Sequence, residues 1–254
     1  MHRPLCLVTR PQHQNRQLNK MLLAAGFDVL NFPTIAIQYA SPTPFLEQLA
    51  QTINHYDLVL FVSRNAVDGA FQYLDSGGIA DTLQLGVIGK GTLQALREHG
   101  AKSNIIPAEN YNSEGLLDSA ALQQVQGKRV LIFRGQQGRN LLGDTLAARG
   151  ATVTYCEAYR RVLPDYDEDT FHSLVDKGFP QLAIFTSAEG LQNCFQLLRA
   201  DEAERLRSIP WLLISERMRE TARQLRHNAE IIIATSASDD GIVQALTQWQ
   251  QTKS

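Results

Sequence analysis

The chain is poor in the features that build disulfide-stapled, metal-bound or membrane-embedded proteins. Three of its 254 residues are cysteines, and this odd, unpatterned set argues against a disulfide framework. No apolar run approaches the ~18 residues of a membrane-spanning helix. The six histidines are scattered and no CxxC or HExxH motif occurs, so we expect no metal site. A formal net charge of −2 gives no reason to expect binding to nucleic acid or to a membrane.

Motifs for nucleotide binding and for serine hydrolysis are missing as well. The segment Gly86–Gly91 has neither the Walker A spacing nor the third glycine of a dinucleotide-binding loop. No Gly-x-Ser-x-Gly sequence is present. Residues 1–8 run directly into a strand-like segment and predict no signal peptide. We interpret Cys6 and Cys194 as inert core thiols, and the sequence as a whole predicts a cytoplasmic location.

What the chain does have is an internal repeat. The stretch Leu58–Asn65 returns as Leu182–Glu189, and each copy is a short apolar run that stops at a serine and then becomes helix-like. A shift of 124 positions carries Ser63 onto Ser187, Arg10 onto Arg134 and Gly26 onto Gly150. Three separated segments with one shift predict two copies of the same α/β unit.

Within each copy, short apolar strands alternate with amphipathic helices. This alternation is typical of parallel sheets covered by helices on both faces. Counting five strands per copy, with a brief one at 104–106, we predict an α/β fold of two flavodoxin-like doubly wound domains. The repeat by itself fits two tandem domains split near residue 125.

The predicted strands end in polar or glycine-bearing corners. In parallel α/β sheets ligands bind beyond the carboxyl ends of the strands, where helix N-termini favour carboxylates and phosphates. Ser and Thr at such corners also serve as simple helix N-caps, and this alternative stays open for each of them. The candidate binding residues at these corners are Ser63, Gly89, Gly135, Ser187 and Ser215.

Arginines recur at the same corners. Four of them lie at or just past the end of a strand, and a fifth follows within a turn: Arg10, Arg64, Arg134, Arg217 and Arg139. Because a guanidinium binds carboxylates in bidentate fashion, this set predicts a site for a polyanion. The alternative is that each arginine is a solvated surface residue.

Eight motifs in their order along the chain resemble those of the uroporphyrinogen-III synthase family, over essentially the whole chain. They are Val8-Thr-Arg-Pro11, Phe61-Val-Ser-Arg-Asn-Ala-Val67, Val87-Ile-Gly89 with Thr92, Ser113-Glu-Gly-Leu-Leu117, Val130-Leu-Ile-Phe-Arg-Gly135, Arg149-Gly-Ala-Thr-Val153, Tyr159-Arg-Arg161 and Phe185-Thr-Ser-Ala-Glu-Gly190.

The resemblance implies a domain arrangement in which the two copies exchange their halves. Residues 1–35 would join 164–254 in one discontinuous domain, and 43–155 would form the other. Segments 36–42 and 156–163 would pair as a two-stranded linker between the two domains.

The resemblance also implies the activity. The family is a lyase that cyclises linear hydroxymethylbilane, a polycarboxylate, to uroporphyrinogen III. The reaction loses water and inverts ring D through a spiro intermediate in the interdomain cleft. No cofactor or metal is used. A monomer that receives its substrate by hand-over from hydroxymethylbilane synthase is the expected state.

Tyr159 matches the family's best candidate for the residue that assists departure of the hydroxyl group. A phenol can donate a hydrogen bond to a leaving oxygen, and the alternative is a hinge aromatic that packs between domains. The chain departs from the family pattern after the strand at 211–214. There it has Ser215-Glu-Arg-Met218 in place of a glycine and two threonines, so Ser215 or Arg217 would take over any role of those threonines.

Two other classes of function fit the same architecture. One is a non-enzymatic two-domain sensor, similar to periplasmic binding proteins, that closes on a small anion. Tight binding of a sugar or an amino acid without turnover of the bilane would favour it. The other is a nucleotide-dependent transferase, for which the chain lacks a phosphate-binding loop.

Overall fold

The computed structural model describes residues 3–176 and 178–253, and it divides into two compact units. Unit 1 comprises the residues up to Ala36 together with those from Val162 onward, and unit 2 is Ile37–Arg161. Each unit is built on a sheet of five strands. The predicted α/β class is confirmed.

The described residues form ten strands and twelve α-helices. The strands are β1 (Leu5–Val8), β2 (Asp28–Asn31), β3 (Ala36–Tyr39), β4 (Leu58–Phe61), β5 (Gln84–Val87), β6 (Arg129–Gly135), β7 (Thr152–Val162), β8 (Leu182–Phe185), β9 (Trp211–Leu213) and β10 (Ile231–Ile233). The helices are α1 (Asn15–Ala24), α2 (Pro44–Thr52), α3 (Arg64–Ala70), α4 (Lys90–Glu98), α5 (Ser113–Leu117), α6 (Ala120–Gln123), α7 (Leu141–Ala148), α8 (Thr170–Val175), α9 (Ala188–Leu197), α10 (Ala200–Arg207), α11 (Met218–Gln224) and α12 (Asp239–Gln251).

The sheet of unit 1 has the spatial order β10-β9-β8-β1-β2, and its paired strands are parallel. Counted along the unit's own chain this is the flavodoxin order 2-1-3-4-5. Strand β8 is buried along its whole length, because helices cover both faces of the sheet. Trp211 and Phe185 pack edge to face, with ring centroids 5.1 Å apart, in the core on one side.

The sheet of unit 2 has the order β3-β7-β6-β4-β5, in which β7, β6, β4 and β5 run parallel. Under the 124-residue shift, β6 and β7 correspond to β1 and β2, whereas β4 corresponds to β8. The first half of each copy therefore pairs with the second half of the other copy. A tandem split near residue 125 is wrong, because β1 pairs with β8 and β4 pairs with β6.

The brief strand predicted at 104–106 is present only as a single bridge between Ile105 and Gly86. The pairing does not continue beyond this bridge, because the side-chain oxygen of Asn104 accepts the Leu85 N–H at 2.7 Å. That amide would otherwise extend the ladder. The fifth strand of the sheet is instead β3, which lies beside β7 and in which the Ala40 N–H, just past its end, donates to the Ala158 carbonyl oxygen at 3.0 Å.

A β-bulge interrupts the pairing of β6 with β7. Arg134 pairs with Glu157, but the next residue, Gly135, pairs with Tyr159, so Ala158 is the extra residue. Helix α3 comes close at this point, because a Cβ added to Gly69 would lie 2.5 Å from the Ala158 carbonyl oxygen. A bulge rotates the side chains that follow it, and here it sets the direction of Tyr159.

The three cysteines are free and buried, which confirms the interpretation of Cys6 and Cys194 as core thiols. Burial raises the pKa of all three thiols, that of Cys156 to about 12. The thiolate is the reactive form, so these groups are protonated and unreactive near neutral pH. Within the described part of the chain, no helix combines the length and apolarity needed to cross a membrane.

Candidate functional site

A cavity of about 420 Å³ opens at the carboxyl edge of the sheet in unit 2. It begins where three strands stop, since Val62 follows β4, Ile88 follows β5 and the loop 136–140 follows β6. From β4 the chain proceeds to β5 on one side, and from β6 to β7 on the other. This reversal of strand order is the switch point at which doubly wound sheets bind their ligands.

Tyr159 lies in the wall of this cavity and is 9% exposed. Its ring packs in the core cluster that contains Phe61 and Phe133, and its hydroxyl oxygen accepts a hydrogen bond from Ser63 Oγ at 3.1 Å. Gly135 leaves the room for the ring, because a Cβ there would lie 2.8 Å from Tyr159 Cζ. The hydroxyl is thus held at a fixed place at the cavity wall.

Arg134 also lines the cavity but is only 7% exposed. Its guanidinium donates to the Gly135 carbonyl oxygen at 3.2 Å, to the Gly138 carbonyl oxygen, and to Asn140 Oδ1 at 2.7 Å. Arg134 therefore organises the loop that follows β6. Its predicted role as a ligand for carboxylates stays a prediction, since these three contacts occupy much of its fork of donors.

Asn140 also stands at the start of helix α7. It is the N-cap residue, but its backbone is helical (φ −85°, ψ −12°) and its side chain makes no cap hydrogen bond, while its Oδ1 accepts from Arg134. Helix α7 therefore begins without a side-chain cap, next to the cavity residue Leu142. An uncapped N-terminus offers N–H groups and a partial positive charge to an anion.

Exposed cations surround the cavity. Arg139 has a side chain that is 82% exposed, and its Nη1 lies 4.0 Å from Glu114 Oε1. Arg160 is exposed, and its Nε donates to Gln38 Oε1 at 2.9 Å. With Arg134 and Arg161, the described residues that line the cavity include four arginines and the carboxylate of Glu114. This excess of positive charge suits an anionic ligand.

The candidate residues of unit 1 also lie at the carboxyl ends of its strands. Arg10 forms an ion pair with Asp239 at the start of α12, and its side chain is 12% exposed. Ser187 is the N-cap of α9, where its Oγ accepts the Gly190 N–H at 2.9 Å. Ser215 follows β9 by two residues and is half-buried, and Arg217 is exposed at the start of α11.

Metal ligation finds no support in the described residues. Across 3–176 and 178–253, no group of three or more His, Cys, Asp and Glu side chains is placed to hold a metal ion.

Comparison with known proteins identifies the family. Residues 16–244 match the family model of uroporphyrinogen-III synthase HemD. The chain belongs to the uroporphyrinogen-III synthase family. It is 32% identical to the uroporphyrinogen-III synthase of Escherichia coli (strain K12), covering 94% of this chain and 98% of that protein. It is 34% identical to the enzyme of Salmonella typhimurium, with the same coverage.

Solved structures of the uroporphyrinogen-III synthase family share the fold. A crystal structure from Helicobacter pylori gives a TM-score of 0.61 at 12% identity, covering 97% of this chain and 99% of that one. A mutant of the Thermus thermophilus enzyme gives a TM-score of 0.57 at 18% identity, covering 98% of this chain and 99% of that one. The predicted family is confirmed.

Five of the site residues expected for a uroporphyrinogen-III synthase come together in the unit 2 cavity: Ser63, Arg134, Gly135, Arg139 and Tyr159. Two others in this unit are not among its lining residues. Arg64 turns its guanidinium to Glu98 and to Asp68, the latter at 3.6 Å. Gly89 is the N-cap of α4 and lies near Tyr111.

Sequence reasoning missed several residues of this cavity. Arg160 and Arg161 were part of a motif typical of uroporphyrinogen-III synthases, but no role was predicted for them. Their position directly after Tyr159 was the available signal. Tyr155 was missed as well. It lies in the cavity wall with the Arg134 guanidinium 4.8 Å from its ring centroid, a contact that no spacing in the sequence indicates.

Proposed function

We propose that this chain converts hydroxymethylbilane to uroporphyrinogen III with loss of water and inversion of ring D. The observation that carries the proposal is the fixed hydroxyl of Tyr159 in the wall of a cavity lined by four arginines. Family membership favours this function over an anion sensor or a nucleotide-dependent transferase.

In the first step Tyr159 assists departure of the substrate hydroxyl. Its O–H proton moves toward the leaving oxygen while the lone pair of the adjacent pyrrole nitrogen expels water. The phenolate then recovers a proton from that pyrrole N–H, which leaves a neutral azafulvene and restores Tyr159. Every proton in this step is therefore accounted for without a cofactor or an external base.

The second step needs conformational control more than acid–base power. Ring D must attack the azafulvene through its substituted carbon and pass through a spiro intermediate, whereas unaided closure uses the other carbon. Holding the substrate by its carboxylates lets an enzyme select the attacking atom. In unit 2 we assign this task to Arg139, Arg160 and the uncapped N-terminus of α7.

The test is an isomer assay with the purified protein. Hydroxymethylbilane is supplied, the cyclic products are oxidised, and the type I and type III isomers are separated chromatographically. We expect mainly type III, against mainly type I in a blank without protein. Type I product alone would rule out the proposed function.

Replacing Tyr159 by Phe should lower kcat by about tenfold, the worth of one hydrogen bond to the leaving group. The affinity for uroporphyrinogen III should stay within about twofold of wild type, because the product no longer carries the leaving hydroxyl. Steady-state kinetics and product titration measure the two quantities. Unchanged turnover would show that Tyr159 has a packing role and does not assist the reaction.

Three expectations stay predictions: a monomeric state, hand-over of the substrate from hydroxymethylbilane synthase, and a cytoplasmic location. Sedimentation of the purified chain tests the first of them.

A further inference from the structure

The hydroxyl of Ser63 makes two hydrogen bonds at once. Its oxygen accepts the Ala66 N–H at 3.0 Å, which makes Ser63 the N-cap of α3. Its O–H donates to the hydroxyl oxygen of Tyr159 at 3.1 Å. The cap holds the oxygen at the start of α3, so the second bond comes from a fixed position.

We propose that Ser63 is a positioning residue that acts on the reaction through Tyr159, and not a ligand for a substrate carboxylate. This inference rests on the proposed function, because it takes Tyr159 as the group that assists departure of the hydroxyl. It changes the role first expected for Ser63, which was substrate binding.

The other copy of the internal repeat shows which of the two hydrogen bonds of Ser63 is shared by both copies and which is found in one of them. Its counterpart Ser187 caps α9 in the same way, with the Gly190 N–H at 2.9 Å. The shift of 124 positions carries Tyr159 onto Ile35, which has no hydroxyl. The cap is therefore common to both copies, whereas the contact with a phenol belongs to unit 2, the unit with the arginine-lined cavity.

The hydrogen bond from Ser63 to Tyr159 stabilises the charge that develops in the first step of the proposed reaction. While Tyr159 passes its proton toward the leaving oxygen, negative charge develops on the phenol oxygen. A hydrogen bond from Ser63 to that oxygen becomes charge-assisted and strengthens in the transition state. Ser63 keeps its own proton throughout. With the donor in place, the proton of Tyr159 is free to point at the ligand.

The experiment is a double-mutant cycle of Ser63→Gly and Tyr159→Phe, measured on type III formation. Glycine at an N-cap costs only a few tenths of a kcal/mol of helix stability, so Ser63→Gly removes the hydroxyl with little effect on folding. We expect kcat to fall by about fivefold and KM to stay within about twofold. The double variant should be no slower than Tyr159→Phe alone.

Two further variants sharpen the result. Ser63→Thr keeps the cap and the donor and should return kcat to within about twofold of wild type. Thr43→Ala removes a cap of the same kind in unit 2, where Thr43 Oγ1 accepts the Leu46 N–H at 3.2 Å, and should leave kcat within about twofold. This control shows that loss of a cap alone does not slow the reaction.

Other outcomes overturn the inference. Multiplicative losses in the double variant, or a rise in KM and in the product dissociation constant for Ser63→Gly, would make Ser63 a substrate ligand. Full turnover of Ser63→Gly would remove it from the reaction. Failure of the proposed function has a different signature, namely a wild-type protein that forms no type III isomer.

Discussion

Gly135→Val is expected to lower kcat by about a hundredfold and to raise the fraction of type I isomer. A Cβ at this position would lie 2.8 Å from Tyr159 Cζ and 3.0 Å from its hydroxyl oxygen, so the ring has to move. The ring is only 9% exposed and is packed in the core, and any shift takes the hydroxyl away from Ser63. Misplacing a catalytic group by about 1 Å can cost about a hundredfold in rate.

The matched control for this variant is Gly91→Val. Gly91 is an exposed residue in the first turn of α4, where an added Cβ meets nothing within 4 Å. We expect it to keep kcat within about twofold. Circular dichroism on both variants, and the smaller substitution Gly135→Ala, separate a displaced ring from a failure to fold. A Gly135→Val protein that is folded and turns over normally would contradict the geometry.

Arg134→Ala is expected to lower the free energy of unfolding of unit 2 by about 3 kcal/mol. Its buried guanidinium serves two carbonyl oxygens and Asn140 Oδ1, and alanine leaves all three without their donor. Arg134→Lys should recover little of the loss, because one ammonium group cannot reach three acceptors that are arranged around a planar fork. Denaturant unfolding measures the change.

Arg139→Ala is the control for Arg134→Ala, because it removes the same charged group from an exposed position and not from a buried one. This side chain is 82% exposed, so its removal should change the unfolding free energy by less than about 0.5 kcal/mol. It should weaken product binding and reduce the salt dependence of that binding, since screening acts on exposed charges. Equal stability losses in the two variants would show that Arg134 does not hold the loop together.

The fold was largely predictable from the repeat. The 124-residue shift identified both copies of the strand that ends at a serine, and Ser63 and Ser187 do stand at the starts of α3 and α9. The exchange of halves between copies was not readable from the residues alone. Either arrangement buries the same apolar strands, and only the resemblance to a family favoured the exchanged one.

The direction of the arginine side chains was beyond sequence reasoning. Position at a strand end predicted that Arg10, Arg64 and Arg134 would face a ligand. In the structure Arg10 pairs with Asp239 and Arg64 with Glu98, and their roles as ligands for a carboxylate stay predictions. The partner of a long side chain depends on which groups the tertiary structure brings near it. The spacing of residues along a strand and its loop does not indicate those tertiary neighbours.

The position of Tyr159 depends on a detail of the same kind. One extra residue, Ala158, shifts the register of β7 and brings Tyr159 opposite Gly135. The sequence of β7 gives no sign of a bulge, since Tyr155–Arg161 reads as a continuous strand. The motif therefore identified the tyrosine, but only the backbone shows what it touches.

The exchanged strands set an order of events during synthesis on the ribosome. Unit 2 is one continuous stretch, so its sheet can close as soon as Arg161 has left the exit tunnel. Strands β1 and β2 are made first, yet the neighbour that β1 needs, β8, is made after all of unit 2. We therefore expect the core around Leu7 and Phe27, both fully buried in the folded chain, to be completed only after β8 has been made.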